Sequence, residues 1–185
     1  MIIHISGAVG SGKTTLGKKL KEKFGNKIVV VDIDDLRQEF IKEFYNNKKF
    51  KKINKTQYQK YIDAFVKNNS KKPLIFVGLN NMPWWHKNHY YDMHSEHNYY
   101  IEIDDVTILK QKCRRLLNGI AENDMDYLVE HNEKFIKNVS SAISDECNME
   151  NIIKMNAKWN ADYIKQGYEI MSRDNIYKKV VKLLD

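Results

Sequence analysis

The chain has 185 residues, 42% of them hydrophobic, and a net charge of +7, which suits one globular domain with a buried core. This apolar fraction, with only eight Gly and two Pro, excludes a disordered polyelectrolyte and a collagen-like or low-complexity chain. No apolar run approaches the roughly 18 residues of a membrane span, and two cysteines are too few for a disulfide framework and indicate a reducing compartment.

Short apolar runs along the chain predict β-strands. Such runs occupy residues 1–6, 28–33, 73–78 and 98–103. Each run is nearly uninterrupted, which is typical of strands that are buried on both faces of a sheet. A shorter fifth strand is predicted over Tyr168–Met171. Because no basic segment or cleavage site precedes the first strand, we expect a cytoplasmic protein without a targeting peptide and without a membrane partner.

Between and after these strands, apolar residues recur every three or four positions, which predicts amphipathic helices. The apolar positions are Leu16, Leu20 and Phe24; Leu36, Phe40 and Phe44; Tyr58, Ile62, Phe65 and Val66, with Thr56 as the expected N-cap; Val106, Leu109, Cys113 and Leu116; Leu128, Phe135, Val139 and Ile143; Ile152, Met155, Trp159 and Tyr163; and Ile176, Val180 and Leu184. Alternating strands and helices predict a three-layer α/β fold with a parallel, five-stranded sheet and right-handed crossovers.

Residues 7–14 carry the clearest motif. They read Gly-Ala-Val-Gly-Ser-Gly-Lys-Thr, which matches the phosphate-binding pattern G-x-x-x-x-G-K-[ST] between a strand and an amphipathic helix. The glycines permit a tight turn, so that successive backbone N–H groups point at a phosphate. In this pattern the lysine reaches the β- and γ-phosphates and the threonine hydroxyl binds Mg²⁺. The residues predicted to bind the nucleotide are Gly7, Gly10, Ser11, Gly12, Lys13, Thr14 and Thr15, with Lys13 also catalytic and Thr14 also a metal ligand.

In this loop and its flanks the chain resembles the small kinases of the P-loop NTPase superfamily, which include nucleoside, nucleotide, shikimate and polynucleotide kinases. The resemblance implies ATP as the phosphoryl donor, Mg²⁺ as a cofactor and one kinase domain over residues 1–185. Residues 40–72 would then form the acceptor-side insertion, and residues 114–150 a helical lid region.

Asp34 and Arg37 stand three residues apart at a predicted helix start, directly after the second strand. The carboxyl ends of parallel strands face the ligand crevice. The Asp34 carboxylate is therefore a candidate base for an acceptor hydroxyl, and the Arg37 guanidinium could neutralise charge on the transferred phosphoryl group. Asp34-x-x-Arg37 resembles the motif of polynucleotide 5′-hydroxyl kinases, in which the Asp is the base and the Arg binds phosphate. The alternative is that Asp34 or Asp35 only caps the helix.

Three further positions belong to the predicted site. The resemblance to shikimate-type kinases implies that Asp32 holds Mg²⁺ through water. The third strand ends in Gly78-Leu79-Asn80, without the aspartate that many P-loop proteins carry there, so Asn80 is a candidate for orienting the acceptor. Trp84 follows that strand and could stack on a base or ring, although packing in a core or lid is the commoner use of Trp.

The helix after the fourth strand contains Arg114 and Arg115, in the region where related kinases carry lid arginines. Such residues close over the phosphates and stabilise the transition state. We expect at least one of the two to contact a phosphate, and the alternative is a surface salt bridge. Arg173, before the last helix, is less informative, although the corresponding loop of related kinases often passes near the adenine.

Only four of the 31 basic residues are Arg. Lys, Asn and Ile all have AT-rich codons, so a coding bias explains much of the positive charge without a nucleic-acid partner. The lysines from Lys48 to Lys55 could bind a phosphate or a nucleic-acid backbone, or else form a solvated loop. The histidines from His86 to His97 fit no zinc module and are interpreted as a polar helix flank.

The sequence therefore favours an ATP-dependent phosphotransferase whose acceptor is a nucleoside, a nucleotide or a similar small metabolite. The alternative acceptor is the 5′-hydroxyl of DNA or RNA, which Asp34-x-x-Arg37, the lysine run and the net charge favour. A second alternative is a nucleotide-hydrolysing switch or binding module, which has no need of an acceptor base.

Overall fold

The computed structural model describes residues 1–45, 54–81, 89–121 and 147–185, together with residues 137, 140, 141, 143 and 144. Five strands form one sheet: β1 (Ile2–Gly7), β2 (Val29–Asp32), β3 (Leu74–Val77), β4 (His97–Ile101) and β5 (Glu169–Met171). Their order across the sheet is β2-β3-β1-β4-β5, and all neighbouring pairs are parallel. The predicted α/β fold is confirmed, including the short fifth strand.

Six α-helices with described bounds accompany the sheet, and the described residues 137, 140, 141, 143 and 144 are helical as well. The six are α1 (Lys13–Phe24), α2 (Ile33–Tyr45), α3 (Lys55–Asn68), α4 (Asp105–Ala121), α5 (Met149–Lys165) and α6 (Arg173–Leu184). Among the described residues, no helix is long and apolar enough to cross a membrane.

Strand β3 shows why the central strands are nearly continuous apolar runs. Leu74 and Phe76 belong to a core that α2 and α3 cover, whereas Ile75 and Val77 belong to a core that α1 and α6 cover. Both faces of the strand are therefore buried, and burial of each large side chain contributes about 1.5–3 kcal/mol to stability.

Because β1, β2 and β3 are parallel, their carboxyl ends lie at the same edge of the sheet, where the predicted site residues lie.

Three details of the helix predictions are wrong. The N-cap of α3 is Asn54 and not Thr56, since the Asn54 side chain accepts a hydrogen bond from Gln57 N. In α4, Val106 is 47% exposed and Ile108 is buried, because this helix packs against the loop after β1 and against α5. The described residues 89–96 contain no helix, so His94 lies in a loop before β4.

Most of the predicted lid region falls outside the described residues. Of the helix predicted on Leu128, Phe135, Val139 and Ile143, only Ile143 is described, and it is helical but 49% exposed. The boundaries of the acceptor-side insertion and of the lid stay predictions.

Candidate functional site

The loop between β1 and α1, residues 7–12, has the backbone shape of a phosphate cradle. Gly10 and Gly12 have φ angles of +87° and +86°, a left-handed conformation that favours glycine. The Ser11 N–H donates to the Ala8 carbonyl at 3.1 Å, which closes a turn. Gly12 precedes α1 and offers no side-chain cap. The free N–H groups of the first helical turn, and the positive end of the helix dipole, therefore face the loop.

Lys13 is the first residue of α1, and its side chain folds back over the loop. Its ammonium donates to the carbonyl oxygens of Gly7 at 2.9 Å and Ala8 at 2.8 Å. Burial lowers the pKa of Lys13 to about 8; the Asp34 carboxylate acts in the opposite direction, and the Arg115 guanidinium lowers it further. Asp34 and Arg115 are therefore both within electrostatic reach of Lys13.

Thr14 and Asp32 are brought together beside Lys13. The Thr14 hydroxyl donates to Asp32 Oδ2 at 2.9 Å, and the Asp34 N–H donates to Asp32 Oδ1 at 3.0 Å. Asp32 thus caps the start of α2, which leaves the Asp34 carboxylate available for another role. The residue that caps α2 is therefore Asp32, one position before the helix, and not Asp34 or Asp35 as the alternative proposed.

The paired oxygens of Thr14 and Asp32 fit a magnesium ion. Mg²⁺ prefers oxygen ligands, and it usually keeps several waters while binding one or two protein oxygens and the phosphates of a nucleotide. In the described ranges, no group of three or more His, Cys, Asp or Glu could hold a metal ion. Thr14 and Asp32 would supply part of a coordination shell that water and phosphate oxygens complete.

Asp34 and Arg37 form an ion pair in the first turns of α2. The Arg37 Nη1 atom lies 2.9 Å from Asp34 Oδ1, and the Asp34 side chain is 74% exposed whereas that of Arg37 is 15% exposed. Arg37 Nη2 donates to the carbonyl oxygens of Leu79 at 3.4 Å and Asn81 at 3.1 Å, just beyond β3. The Asp34 carboxylate is therefore exposed to solvent, whereas the Arg37 side chain is mostly buried.

Asn80 is buried behind this ion pair. Its Nδ2 donates to the Tyr91 carbonyl at 2.8 Å, and its Oδ1 accepts from the Tyr163 hydroxyl at 2.9 Å. Both ends of the amide are bonded within the protein, so Asn80 holds the segment after β3 in place. Its contact with an acceptor stays a prediction.

Helix α4 approaches the loop from the other side. A Cβ atom added at Gly10 would lie 3.0 Å from Gln111 Oε1, so this side chain packs on the loop. Arg115, one turn further along, is the residue that acts on the Lys13 pKa. Arg114 is exposed as well, but it lies about 100° away around the helix axis. Contact of either arginine with a phosphate stays a prediction.

The fold of this chain, with the sheet order β2-β3-β1-β4-β5, is similar to that of a known structure. A shikimate kinase from Bacteroides thetaiotaomicron aligns over 100% of this chain and 98% of its own, with a TM-score of 0.51 and 16% sequence identity. The fold is that of the small P-loop kinases.

Two further similarities were found. The family model described as Zeta toxin matches residues 1–70, which span the loop, the Asp34–Arg37 pair and α3. A protein from Eubacterium ventriosum aligns over 100% of this chain and 98% of its own, with a TM-score of 0.48 and 17% identity. No curated protein matches the chain significantly.

Two further residues adjoin the cradle, Gln111, which the sequence did not predict, and Arg173, which it singled out without placing it at the cradle. A Cβ atom added at Gly12 would lie 2.9 Å from Arg173 Nη1, so this guanidinium lies against the N-terminus of α1. Arg173 is the first residue of α6 and far from Gly12 along the chain. The rarity of Arg in a lysine-rich chain marks Arg173, and the resemblance to small kinases implied only that its loop passes near the adenine.

Other predicted features fall partly or wholly outside the described residues. The residues that the structure describes do not include Trp84, His86 or Lys48–Lys52. His94 lies 2.7 Å from Asp63 and 3.5 Å from Asp92 and thereby connects α3 to the loop before β4.

Proposed function

We propose that this P-loop kinase is an ATP-dependent phosphotransferase that moves the γ-phosphate of ATP to a hydroxyl of a nucleoside, a nucleotide or a similar small metabolite. The position of Asp34 carries the proposal. Its carboxylate is exposed, it acts electrostatically on Lys13, and it is bonded to Arg37. A nucleotide switch has no use for an exposed carboxylate at the acceptor end of the site, whereas a kinase needs a proton acceptor there.

On the donor side, the free N–H groups at the start of α1 bind the phosphates of ATP. Lys13 places its ammonium on the β- and γ-phosphates, and Arg115 adds positive charge from α4. Mg²⁺, when bound with Thr14 and Asp32, supplies further neutralisation of the phosphate oxygens. Phosphoryl transfer asks for little covalent chemistry from the protein, so positioning and electrostatic stabilisation account for the rate.

On the acceptor side, Asp34 accepts the proton of the acceptor hydroxyl as its oxygen attacks the γ-phosphorus. The bond between the γ-phosphorus and the oxygen that bridges it to the β-phosphate breaks, and ADP leaves with the electron pair. The products are the phosphorylated acceptor, ADP and the proton held by Asp34. An exposed carboxylate suits this role because an acceptor can approach it from solvent.

Transfer to the 5′-hydroxyl of DNA or RNA is the second candidate. The Asp34-x-x-Arg37 spacing at the start of α2 resembles the motif of polynucleotide 5′-hydroxyl kinases, and the chain carries a net charge of +7. Binding that depends on phosphate contacts weakens steeply with salt. An oligonucleotide substrate should therefore lose affinity steeply between about 50 and 200 mM salt, and a flat response would exclude this candidate.

Transfer of label from γ-labelled ATP tests the proposal. Two pools are incubated separately: nucleosides and nucleoside monophosphates, to which shikimate is added because of the structural neighbour, and 5′-hydroxyl oligonucleotides. Lys13→Ala is the inactive reference, and Lys18→Ala, an exposed position on the same helix, is the matched control. Label in the first pool supports the proposal, label on oligonucleotides favours the second candidate, and release of free phosphate alone favours a switch.

A further inference from the structure

The Arg37 side chain is fixed by hydrogen bonds to backbone carbonyl oxygens of the protein. Its Nη2 donates to two carbonyl oxygens beyond β3, those of Leu79 and Asn81. Its Nε is shielded from solvent without a hydrogen-bond partner among the described residues. The guanidinium acts on the pKa of both Tyr58 and Tyr91 and so lies near these two buried rings. Fixing a long side chain in this way removes the rotamer freedom that an arginine usually keeps at a surface.

The carbonyl oxygens that hold Arg37 are themselves fixed. Asn80 lies between them in the chain, and its amide is bonded to the Tyr91 carbonyl and to the Tyr163 hydroxyl of α5. The Tyr91 N–H also donates to the Asn80 carbonyl at 2.9 Å. A continuous set of buried hydrogen bonds therefore runs from α5 through the segment after β3 to Arg37.

This set of hydrogen bonds ends at the exposed carboxylate of Asp34. Arg37 Nη1 donates to Asp34 Oδ1 at 2.9 Å. An exposed ion pair usually contributes little, because two mobile side chains must both be ordered. Here the arginine is already ordered, so the bond orients the carboxylate at the entropic cost of one short side chain.

We propose that Arg37 is a positioning residue that orients the Asp34 carboxylate toward the acceptor hydroxyl, and that it does not bind a phosphate. The inference rests on the proposed function, in which Asp34 is the base, and it departs from the role that the polynucleotide kinase motif implies for the arginine. To bind a phosphate with its fork, Arg37 would have to release either Asp34 or the carbonyl oxygens of Leu79 and Asn81. Releasing the latter would leave shielded polar groups unpaired, which is costly.

Arg37→Lys and Arg37→Gln test the inference, with Lys42→Gln at an exposed position of the same helix as the matched control. An ammonium serves well as a point charge for phosphate, but it cannot reproduce a fork that bonds in two directions. A positioning role therefore predicts that both variants lose kcat by about tenfold or more, while the KM for the acceptor stays within about threefold. A large rise in acceptor KM with kcat retained in Arg37→Lys would overturn the inference, and so would unchanged kinetics in both variants.

Amide hydrogen exchange separates this inference from the proposed function, because it needs no substrate. Loss of the Arg37 fork should release the segment after β3, so we expect the Tyr91 amide to exchange at least about tenfold faster in Arg37→Lys than in Lys42→Gln. Unchanged exchange at Tyr91 would overturn the positioning role even if the protein is an active kinase. Failure of the unmodified protein to label any acceptor would instead overturn the proposed function and leave the exchange result to decide the structural role of Arg37.

Discussion

Asp34 and Asp35 are adjacent exposed carboxylates at the start of α2, but only Asp34 is bonded to Arg37 and acts on Lys13. Asp34→Asn keeps the size of the side chain and an oxygen for Arg37, yet removes the proton acceptor. We expect kcat for transfer to fall by roughly 10²–10⁴-fold with ATP affinity nearly unchanged. Transfer assays and calorimetric titration with ATP measure the two quantities, and Asp35→Asn is the matched control. Transfer at the normal rate in Asp34→Asn would show that another group is the base.

The Lys13 ammonium gives ATP affinity a pH dependence. Burial lowers its pKa to about 8 from an ordinary value of 10.5, so the charge is present below about pH 8 and is lost as the pH rises through that value. Phosphate oxygens are already ionised there, since their second pKa is about 6. We expect the dissociation constant for ATP to be level from pH 7 to 7.5 and to rise up to tenfold per unit above about pH 8. Lys13→Met should bind weakly at every pH, and an equally flat curve for the unmodified protein would contradict the assignment.

At the scale of elements, α6 places an unpaired cation at the N-terminus of α1. Arg173 has no acidic partner among the ion pairs of the described residues, and the positive end of a helix dipole repels it by about 0.3–1 kcal/mol. A bound phosphate would reverse the sign of this interaction. Arg173→Ala should therefore raise the dissociation constant for ATP several-fold and leave the melting temperature unchanged or slightly higher.

Calorimetry with ATP and thermal unfolding of the same Arg173→Ala preparation measure both quantities. Lys178→Ala, at an exposed position of the same helix, is the matched control. If Arg173 only stabilised the fold, its removal would lower the melting temperature and leave ATP binding intact.

The sequence predicted the elements that are encoded by residues adjacent in the chain. The five strands and the cradle at residues 7–12 are local patterns, so an apolar run or a glycine spacing identifies them. The contacts of Gln111 and Arg173 with the cradle join segments that are distant in the chain, and no local pattern records them. The same limit explains α4, whose burial of Ile108 depends on Ala8 and on α5. Periodicity located the helix but not the partner that it packs against.

At the scale of the whole molecule, His4 connects three parts of the sheet. It is fully buried in β1, and its Nε2 lies 2.9 Å from the Gly78 carbonyl, which can only accept, so Nε2 carries the proton. The Nδ1 atom therefore accepts from the Tyr168 hydroxyl just before β5. Both ring nitrogens are therefore satisfied while the imidazole is neutral. Burial accordingly lowers the pKa of His4 to about 4.

This buried histidine should make the fold sensitive to mild acid. The unfolded chain binds a proton at His4 below its ordinary pKa of 6.5, whereas the folded protein does so only near 4. The contribution of neutral His4 to the free energy of unfolding is therefore fully present above about pH 6.5 and is lost as the pH falls toward 4. At pH 5 this loss is about 2 kcal/mol. Urea unfolding at pH 7.5, 6, 5.5 and 5 measures the slope, and His4→Gln, which retains the other histidines, should lack this part of it. Because β1 leads directly into the phosphate cradle, the same loss should lower ATP binding in parallel with the folded fraction. Equal slopes for the two proteins would show that His4 is not the titrating group.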